Sequence, residues 1–222
     1  IGDYAPFKNG TKREILDRFF NAFSLETGGT DADYYKNNAQ EVMYYIYTFW
    51  DRSLNDLQKL LSGSDDRIPE EKQEWIAKNG ANIRTQLNKW LELPCLSPAD
   101  GQGLNVTELV KSGAVIYVKG STKDKVVRAV LKSMLREWSA AVIREQPKNH
   151  VLGIIDEARF VISSEVADSL ATILSSNASL SIAYQERDDL LNIPDEKPQI
   201  AQSIKKGTET NTNLTLVYRC ND

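Results

Sequence analysis

Short apolar runs alternate with helical stretches in the second half of the chain, and this alternation limits the possible folds more than any other feature. Four runs have the length of a strand, and they lie at residues 114–118 (AVIYV), 151–155 (VLGII), 180–183 (LSIA) and 214–218 (LTLVY). Between them, apolar residues recur at helical spacing in residues 126–142 and 165–174. Strands joined through helices predict an α/β fold, a parallel sheet with helices on both faces.

The first half of the chain has a different pattern, because residues 11–93 show only helical periodicity. Thr11 and Glu14 have capping-box spacing, Pro69 suits the first turn of a helix, and Asn79-Gly80 suits a helix end. One broad apolar stripe runs through Tyr35, Ala39, Val42, Met43, Ile46, Trp50, Leu54, Leu57 and Leu61. We therefore predict an all-α bundle over residues 11–93, followed by a linker rich in proline and glycine over residues 94–103.

Composition excludes several classes of protein. The formal net charge of −4 argues against a nucleic-acid-binding surface that covers the whole chain. Two cysteines far apart in sequence do not make a disulfide framework, so we predict free thiols. No apolar run approaches the roughly 18 residues of a membrane span.

A group of aromatic residues near the middle of the first half has two interpretations. They could stack on single-stranded nucleic acid, but their helical spacing favours a place in the core and at helix interfaces. The group consists of Tyr44, Tyr45, Tyr47, Phe49 and Trp50.

Polar residues follow two of the predicted strands at the edge where parallel sheets bind ligands. Asp156 and Glu157 come directly after residues 151–155, and Gln185 follows residues 180–183. One interpretation is a phosphate-hydrolysis site, in which the first acid holds hydrated Mg²⁺, the second polarises a water and the glutamine senses the γ-phosphate. The other is that the Asp-Glu pair caps the following helix. No phosphate-cradling GxxxxGK[ST] sequence occurs in the 222 residues.

The order of these features resembles that of the type IV coupling proteins, the TraD/TraG-like DNA-pumping ATPases of conjugation and type IV secretion. The stretches that carry the resemblance are YAPFKNGTKREILDRFF, DADYYKNNAQEVM, LNVTELVKSGAVIYV, HVLGIIDEA, LSIAYQERDDL and NTNLTLVYRCND. The resemblance implies a RecA-like motor domain interrupted by an inserted all-helical bundle. Residues 1–10 would then end a motor-domain strand and begin a linker, 11–93 form the all-α domain, 94–103 form a linker, and 104–222 form the C-terminal part of the RecA-like nucleotide-binding domain.

The resemblance also implies residue roles in an ATP site. Asp156 would hold Mg²⁺ through water, Glu157 would be the catalytic base and Gln185 the γ-phosphate sensor, and all three would contact the nucleotide. The phosphate-binding loop and the membrane anchor would lie upstream of Ile1. The full-length protein is therefore expected to be a P-loop ATPase that uses ATP and Mg²⁺, and this chain alone is expected to be inactive.

One departure from the family's pattern concerns catalysis. The family has Arg-x-x-Gly before the glutamine strand, and its arginine reaches into a neighbouring subunit's nucleotide site. Counted back from Gln185 without gaps, these positions fall at Leu174 and Asn177. Asparagine tolerates a left-handed backbone, but leucine supplies no guanidinium. The candidates for the missing arginine are Arg159, Arg187 and Arg219.

The family's biology gives the expected context. A homo-hexamer would lie on the cytoplasmic face of the bacterial inner membrane, with DNA and the relaxase complex at its helical domain and type IV secretion channel proteins beside it. Two alternatives stay open. One is a secretion ATPase that energises pilus assembly or the channel, and the other is a catalytically degenerate substrate-docking module, which the missing arginine favours.

Overall fold

The computed structural model describes residues 2–29, 31–98, 103–194 and 196–217, without the side chains of Glu165 and Arg187. The chain divides into two compact units, Ile1–Ala141 and Val142–Asp222, and the division falls within one long helix. The domain boundaries predicted at residues 10, 93 and 103 stay predictions.

The described part of the first unit is built of helices. They are α1 (Lys12–Ala22), α2 (Asp33–Ile46), α3 (Leu54–Leu60), α4 (Glu70–Asn79), α5 (Ala81–Leu91), α6 (Val106–Ser112) and α7 (Lys125–Glu145), with a 3₁₀ turn at Pro94–Leu96. No strand lies among the described residues between 15 and 90, as the periodicity predicts. None of the helices in the described ranges is both long enough and apolar enough to cross a membrane.

Local signals place several helix ends correctly. The predicted capping box is present at the start of α1, where Thr11 Oγ1 accepts from the amide of Glu14 and Glu14 Oε2 accepts from the amide of Thr11. Helix α4 ends at Asn79 with Gly80 as its C-cap, also as predicted. Pro69 is the N-cap of α4 and therefore lies one position before the first turn that the sequence indicated.

The apolar stripe of residues 35–61 is divided between two helices. Helix α2 ends at Ile46, and α3 begins at Leu54 after a turn in which Arg52 has a positive φ of 79°. Ser53 starts α3, because its hydroxyl oxygen accepts from the amide of Asp56 at 3.1 Å. The stripe is nevertheless buried from Ala39 onward, since the two helices turn their apolar faces into the same core.

Phe7 lies at the centre of an aromatic cluster that joins the N-terminal segment to the bundle. Its ring centroid is 5.1 Å from that of Phe19 and 5.8 Å from those of Trp50 and Trp90. These side chains are 3% exposed or less. The predicted core role of Trp50 is therefore confirmed, whereas Tyr44 in the same predicted group is 50% exposed.

The segment around residue 4 forms backbone hydrogen bonds with Cys95 and Leu104. The amide of Tyr4 donates to the carbonyl oxygen of Cys95, and the amide of Leu104 donates to that of Asp3, both at 2.7 Å. Gly103 is required here, because a Cβ at this position would collide with the backbone nitrogen of Ala5. The thiol of Cys95 is free, as predicted, and Cys220 lies outside the described residues.

A buried polar cluster joins the N-terminal segment, α1 and α7. Arg18 donates to the carbonyl oxygens of Pro6 and Asn9 at 2.9 and 2.7 Å, and its Nη2 lies 3.8 Å from Glu137 Oε2. The same carboxylate oxygen accepts from the Tyr4 hydroxyl at 2.7 Å. The side chains of Arg18 and Glu137 are each only 3% exposed, so this is a buried pair of opposite charges.

This cluster predicts a loss of stability in alkali. Burial, and next the charge of Glu137, raise the pKa of Tyr4 well above its usual 10.0, while Arg18 opposes the rise. The unfolded chain therefore loses the Tyr4 proton first, and the free energy of unfolding should fall as the pH rises beyond 10. Urea unfolding between pH 8 and pH 11 tests this. Tyr4→Phe should flatten the alkaline slope, and the exposed Tyr117→Phe serves as the matched control; equal slopes in both variants would contradict the expectation.

The second unit contains a small parallel sheet with helices. Its elements are β1 (Val151–Ile155), α8 (Ser164–Ile173), β2 (Ala178–Ile182) and α9 (Pro198–Asn211), with 3₁₀ turns at Ala158–Phe160, Leu174–Ser176 and Arg187–Leu191. The strands pair in parallel from Val151 opposite Ala178 to Ile155 opposite Ile182. Helix α8 packs on α9 and on β2. The strand predicted at 151–155 is confirmed, and the one predicted at 180–183 begins two residues earlier.

Two predicted strands are wrong in the described residues. Residues 114–118 and 214–217 form no ladder, and Tyr218 lies outside the described residues. Their side chains are exposed, with Val115 at 99% and Leu214 at 73%. Apolar runs report a preference for extended backbone, but a strand also needs a neighbouring edge to bond.

The prediction of helices on both faces is also wrong for β1, because Leu152 and Ile154 are 56% and 74% exposed.

Candidate functional site

The parallel pairing of β1 and β2 brings the predicted acids and the predicted glutamine to one edge of the sheet. Asp156 and Glu157 directly follow β1. Gln185 is the third residue after the end of β2 at Ile182. Pairing continues past the strand ends, since the Ala183 amide donates to Ile155 O at 2.8 Å and the Ala158 amide donates to Ala183 O at 2.9 Å. The loop after β1 and the loop after β2 are therefore joined by backbone hydrogen bonds.

Glu157 has an unusual backbone. It lies in the left-handed region at φ 50° and ψ 54°, which non-glycine residues adopt rarely and at an energetic cost. Its amide donates to Oδ1 of Asp156 at 3.0 Å. Four other described non-glycine residues also have a positive φ, so this conformation by itself assigns no function to the pair.

The helix-capping interpretation of the pair finds no support in the geometry. Glu157 precedes the 3₁₀ turn Ala158–Phe160, but its side chain makes no capping hydrogen bond there. Helix α8 begins later, at Ser164, with Ser163 as its N-cap. Both carboxylates are exposed to solvent at the strand edge, as is the side chain of Gln185.

The edge is suitable for Mg²⁺ bound in the manner typical of nucleotide sites. Mg²⁺ is usually held by one or two carboxylates together with waters and substrate phosphates, not by a cage of protein ligands. Asp156 offers one exposed carboxylate beside Glu157, and the part of the chain that the structure describes contains no cluster of three or more potential metal ligands. Asp156 and Glu157 are residues at this edge that could hold a magnesium ion arriving with a phosphate ligand.

The candidate arginines differ in what the structure gives for them. Arg159 Nη1 lies 3.0 Å from Asp189 Oδ1, and its guanidinium stands 4.7 Å from the ring centroid of Phe160. The side chain of Arg187 is not among the described ones, and Arg219 lies outside the described residues. At the positions aligned with Arg-x-x-Gly, Leu174 is 51% exposed, and Asn177 adopts the predicted left-handed conformation with φ 55°.

Asp189 lies at this edge of the sheet, and the sequence predicted no role for it. Its carboxylate accepts from the backbone amides of Gln185 and Glu186 and from Arg159. A local signal was available, because Glu186 and Asp189 have the three-residue spacing of a capping box, and the structure contains that box. The bond to Arg159 has no signature in the sequence, since it joins residues on different loops.

The fold and the edge described above define a helix-rich α/β chain with carboxylates at the ends of parallel strands. Two structures of the plasmid coupling protein TrwB are similar to it, one in complex with the non-hydrolysable ATP analogue ADPNP (TM-score 0.57) and one with the GTP analogue GDPNP (TM-score 0.53). Each is 13% identical over 93% of this chain, and the match covers 54% of the TrwB chain. The chain thus spans about half of the TrwB structures that it matches.

A third structure, VirB4 of Thermoanaerobacter pseudethanolicus, matches 93% of this chain and 76% of its own at 15% identity, with a TM-score of 0.46. No protein-family profile matches the chain, and no curated protein does. At this level of identity, the likeness to TrwB shows a shared fold.

Proposed function

We propose that this chain is part of an ATP-driven translocase of conjugation or type IV secretion, of the coupling-protein class. The observation that carries the proposal is the sheet edge at which Asp156, Glu157 and Gln185 follow two paired strands, in a chain similar to TrwB over 93% of its length. Two of the TrwB structures hold nucleotide analogues, which supports a nucleotide as the ligand of this edge.

The three side chains divide the work of phosphoryl transfer to water. Asp156 helps to hold Mg²⁺, which when bound offsets the negative charge on the phosphate oxygens. Glu157 accepts the proton of the attacking water, a role for which an exposed carboxylate beside the metal position is suited. Gln185 contacts the γ-phosphate or the water with its side-chain amide and so reports which nucleotide is bound.

The proposed setting is a homo-hexamer on the cytoplasmic face of the bacterial inner membrane. Its partners are DNA, relaxase-complex proteins and the type IV secretion channel, as in the family that the sequence resembles. Residues 11–93 carry 14 acidic and 11 basic side chains, so the bundle has no overall attraction for DNA phosphates. The proposal therefore gives the helical region mainly to the protein part of the relaxase complex.

The arginine that reaches into a neighbouring subunit's nucleotide site in the family is absent from its usual position, which is Leu174 in this chain. An arginine finger contributes about 10³–10⁵ in rate in related phosphoryl transfers, so a translocase of this class needs one from another position. Arg159, Arg187 and Arg219 are the candidates. If none serves, the degenerate docking module becomes the better description of the chain.

ATP hydrolysis by the full-length protein, measured with and without DNA, tests the proposal. We expect Mg²⁺-dependent turnover that DNA stimulates. Turnover without DNA stimulation would favour the ATPase that energises pilus assembly or the channel. A folded protein that binds its relaxase partner but does not hydrolyse ATP would favour the docking module and contradict the proposal.

This chain by itself should bind Mg-ATP weakly or not at all. Backbone amides and the lysine of a phosphate loop supply most of the affinity for a nucleotide, and no GxxxxGK[ST] lies in the sequence. Titration calorimetry with Mg-ATP should show no binding in the low micromolar range, with the full-length protein as the positive control. A stoichiometric isotherm at that affinity would mean that these residues grip the nucleotide in another way.

A further inference from the structure

One carboxylate, that of Asp189, connects the loop after β1 with the loop after β2. Its Oδ1 accepts from Arg159 Nη1 at 3.0 Å. Its Oδ2 accepts from the amide of Gln185 at 3.0 Å and from that of Glu186 at 3.1 Å. The side chain is 15% exposed, so water competes little for these three donors.

These bonds constrain the backbone from which the Gln185 side chain projects. Two successive amides that converge on one oxygen fix the local dihedral angles, and hydrogen bonds to an ionised carboxylate are shorter and stronger than neutral ones. On the other loop, Arg159 lies two residues after Glu157, in the turn that begins at Ala158. The amide of Ala158 is itself bonded to Ala183 O at 2.9 Å. The two loops therefore have a backbone link and a side-chain link.

We propose that Asp189 is a positioning residue that, with Arg159, holds Gln185 in register with Glu157. The inference rests on the proposed function, because it assigns these residues to ATP hydrolysis. It also gives Arg159 a role inside its own subunit, because its ion pair with Asp189 links the two loops. The arginine offered to a neighbouring subunit then has to come from elsewhere, with Arg187 and Arg219 as the remaining candidates.

Asp188 provides a matched control on the same 3₁₀ turn. Its side chain is 70% exposed and lies 2.7 Å from Lys205 Nζ, so it bonds α9 instead of the strand-end loops. Asp188→Ala therefore removes a neighbouring carboxylate and an ion pair but leaves the link between the loops in place.

The first test is steady-state ATP hydrolysis by full-length Asp189→Ala and Arg159→Gln. We expect kcat to fall about 10- to 100-fold in each, because small misplacements of a catalytic group have effects of this size. KM should stay close to that of the parent in both variants, and kcat and KM should both stay close to the parent values in Asp188→Ala. The double variant should be no slower than the slower single variant, since both changes remove one link.

The second test does not depend on catalysis. In Arg159→Gln, amide hydrogen exchange at Gln185 and Glu186 should be at least about 10-fold faster than in Asp188→Ala. The reason is that the Asp189 carboxylate loses its hydrogen bond from Arg159 and holds these two amides less firmly. This variant leaves the acceptor in place, so it remains informative if Asp189→Ala fails to fold. Exchange equal to that of the control would overturn the inference whatever the kinetics show.

The outcomes separate this inference from the proposed function. If Glu157→Gln stops turnover while Asp189→Ala and Arg159→Gln keep the parent kcat, the positioning role is wrong and the hydrolysis site stands. If Glu157→Gln turns over ATP at the parent rate, the proposed function is wrong. The positioning role for ATP hydrolysis then fails as well, and faster exchange in Arg159→Gln would show only a structural link.

Discussion

Glu157→Gln in the full-length protein should stop ATP turnover and leave nucleotide binding largely intact. Glutamine keeps the size of the side chain and one carbonyl oxygen, but it cannot accept the proton of the attacking water. General-base catalysis typically contributes about 10²–10⁴ in rate, so kcat should fall by that factor. The measurement is steady-state ATP hydrolysis beside equilibrium binding of a nucleotide analogue.

Two further variants sharpen the result. Asp156→Asn should weaken Mg²⁺-dependent nucleotide binding as well as turnover, because it removes the charge beside the metal position. Glu209→Gln removes an acidic group at an exposed position of α9 in the same unit and should change neither quantity. Parent-like turnover in Glu157→Gln would remove the pair from the chemistry, and with it the proposed hydrolysis site.

Arg18→Met should lower the free energy of unfolding by about 3–5 kcal/mol. Methionine fills much of the same space but removes the buried guanidinium that pairs with Glu137, and breaking a buried pair by removing one partner costs about this much. It also leaves the carbonyl oxygens of Pro6 and Asn9 without their donor. Urea unfolding followed by circular dichroism gives the measurement.

Arg13→Met is the matched control for this variant, since Arg13 lies on the same helix and pairs with Asp17 while 93% exposed. Exposed pairs of this kind contribute about 0.3–0.5 kcal/mol, so its effect should be small. Adding Glu137→Leu to Arg18→Met should recover part of the loss, because the buried carboxylate that Arg18 pairs with is then removed as well. Equal stability of the Arg18→Met and Arg13→Met variants would mean that the cluster does not stabilise the fold.

The parts of the fold that could be predicted depend on residues close together in the chain. The capping box of Thr11 and Glu14 and the helix end at Gly80 are decided within one or two turns. Strand β1 was also predictable, because five apolar residues end at two acids. The break between α2 and α3 was missed although its signal is local, since the continuous apolar stripe concealed the cap formed by Ser53 and Asp56.

The features that could not be predicted depend on contacts between distant residues. Residues 114–118 have the composition of a strand, but nothing in that composition states which edge they would join. The pairing of Arg18 with Glu137 joins side chains that are far apart in the sequence, and neither has a pattern around it. The same holds for Arg159 and Asp189 at the candidate site. There the sequence predicted which residues follow the strands, whereas the link between the loops could be seen only in the structure.

The way in which the N-terminal segment enters the bundle has a mechanical consequence. Phe7 is enclosed by aromatic rings, Arg18 grips the carbonyl groups on either side of it, and Tyr4 is bonded to Cys95. A pull on this segment would act on the aromatic contacts, the Arg18 hydrogen bonds and the backbone hydrogen bond to Cys95. Because close-packed interiors transmit strain with little compression, a displacement of the segment would move the bundle with it. The segment is thus mechanically coupled to the helices that surround it.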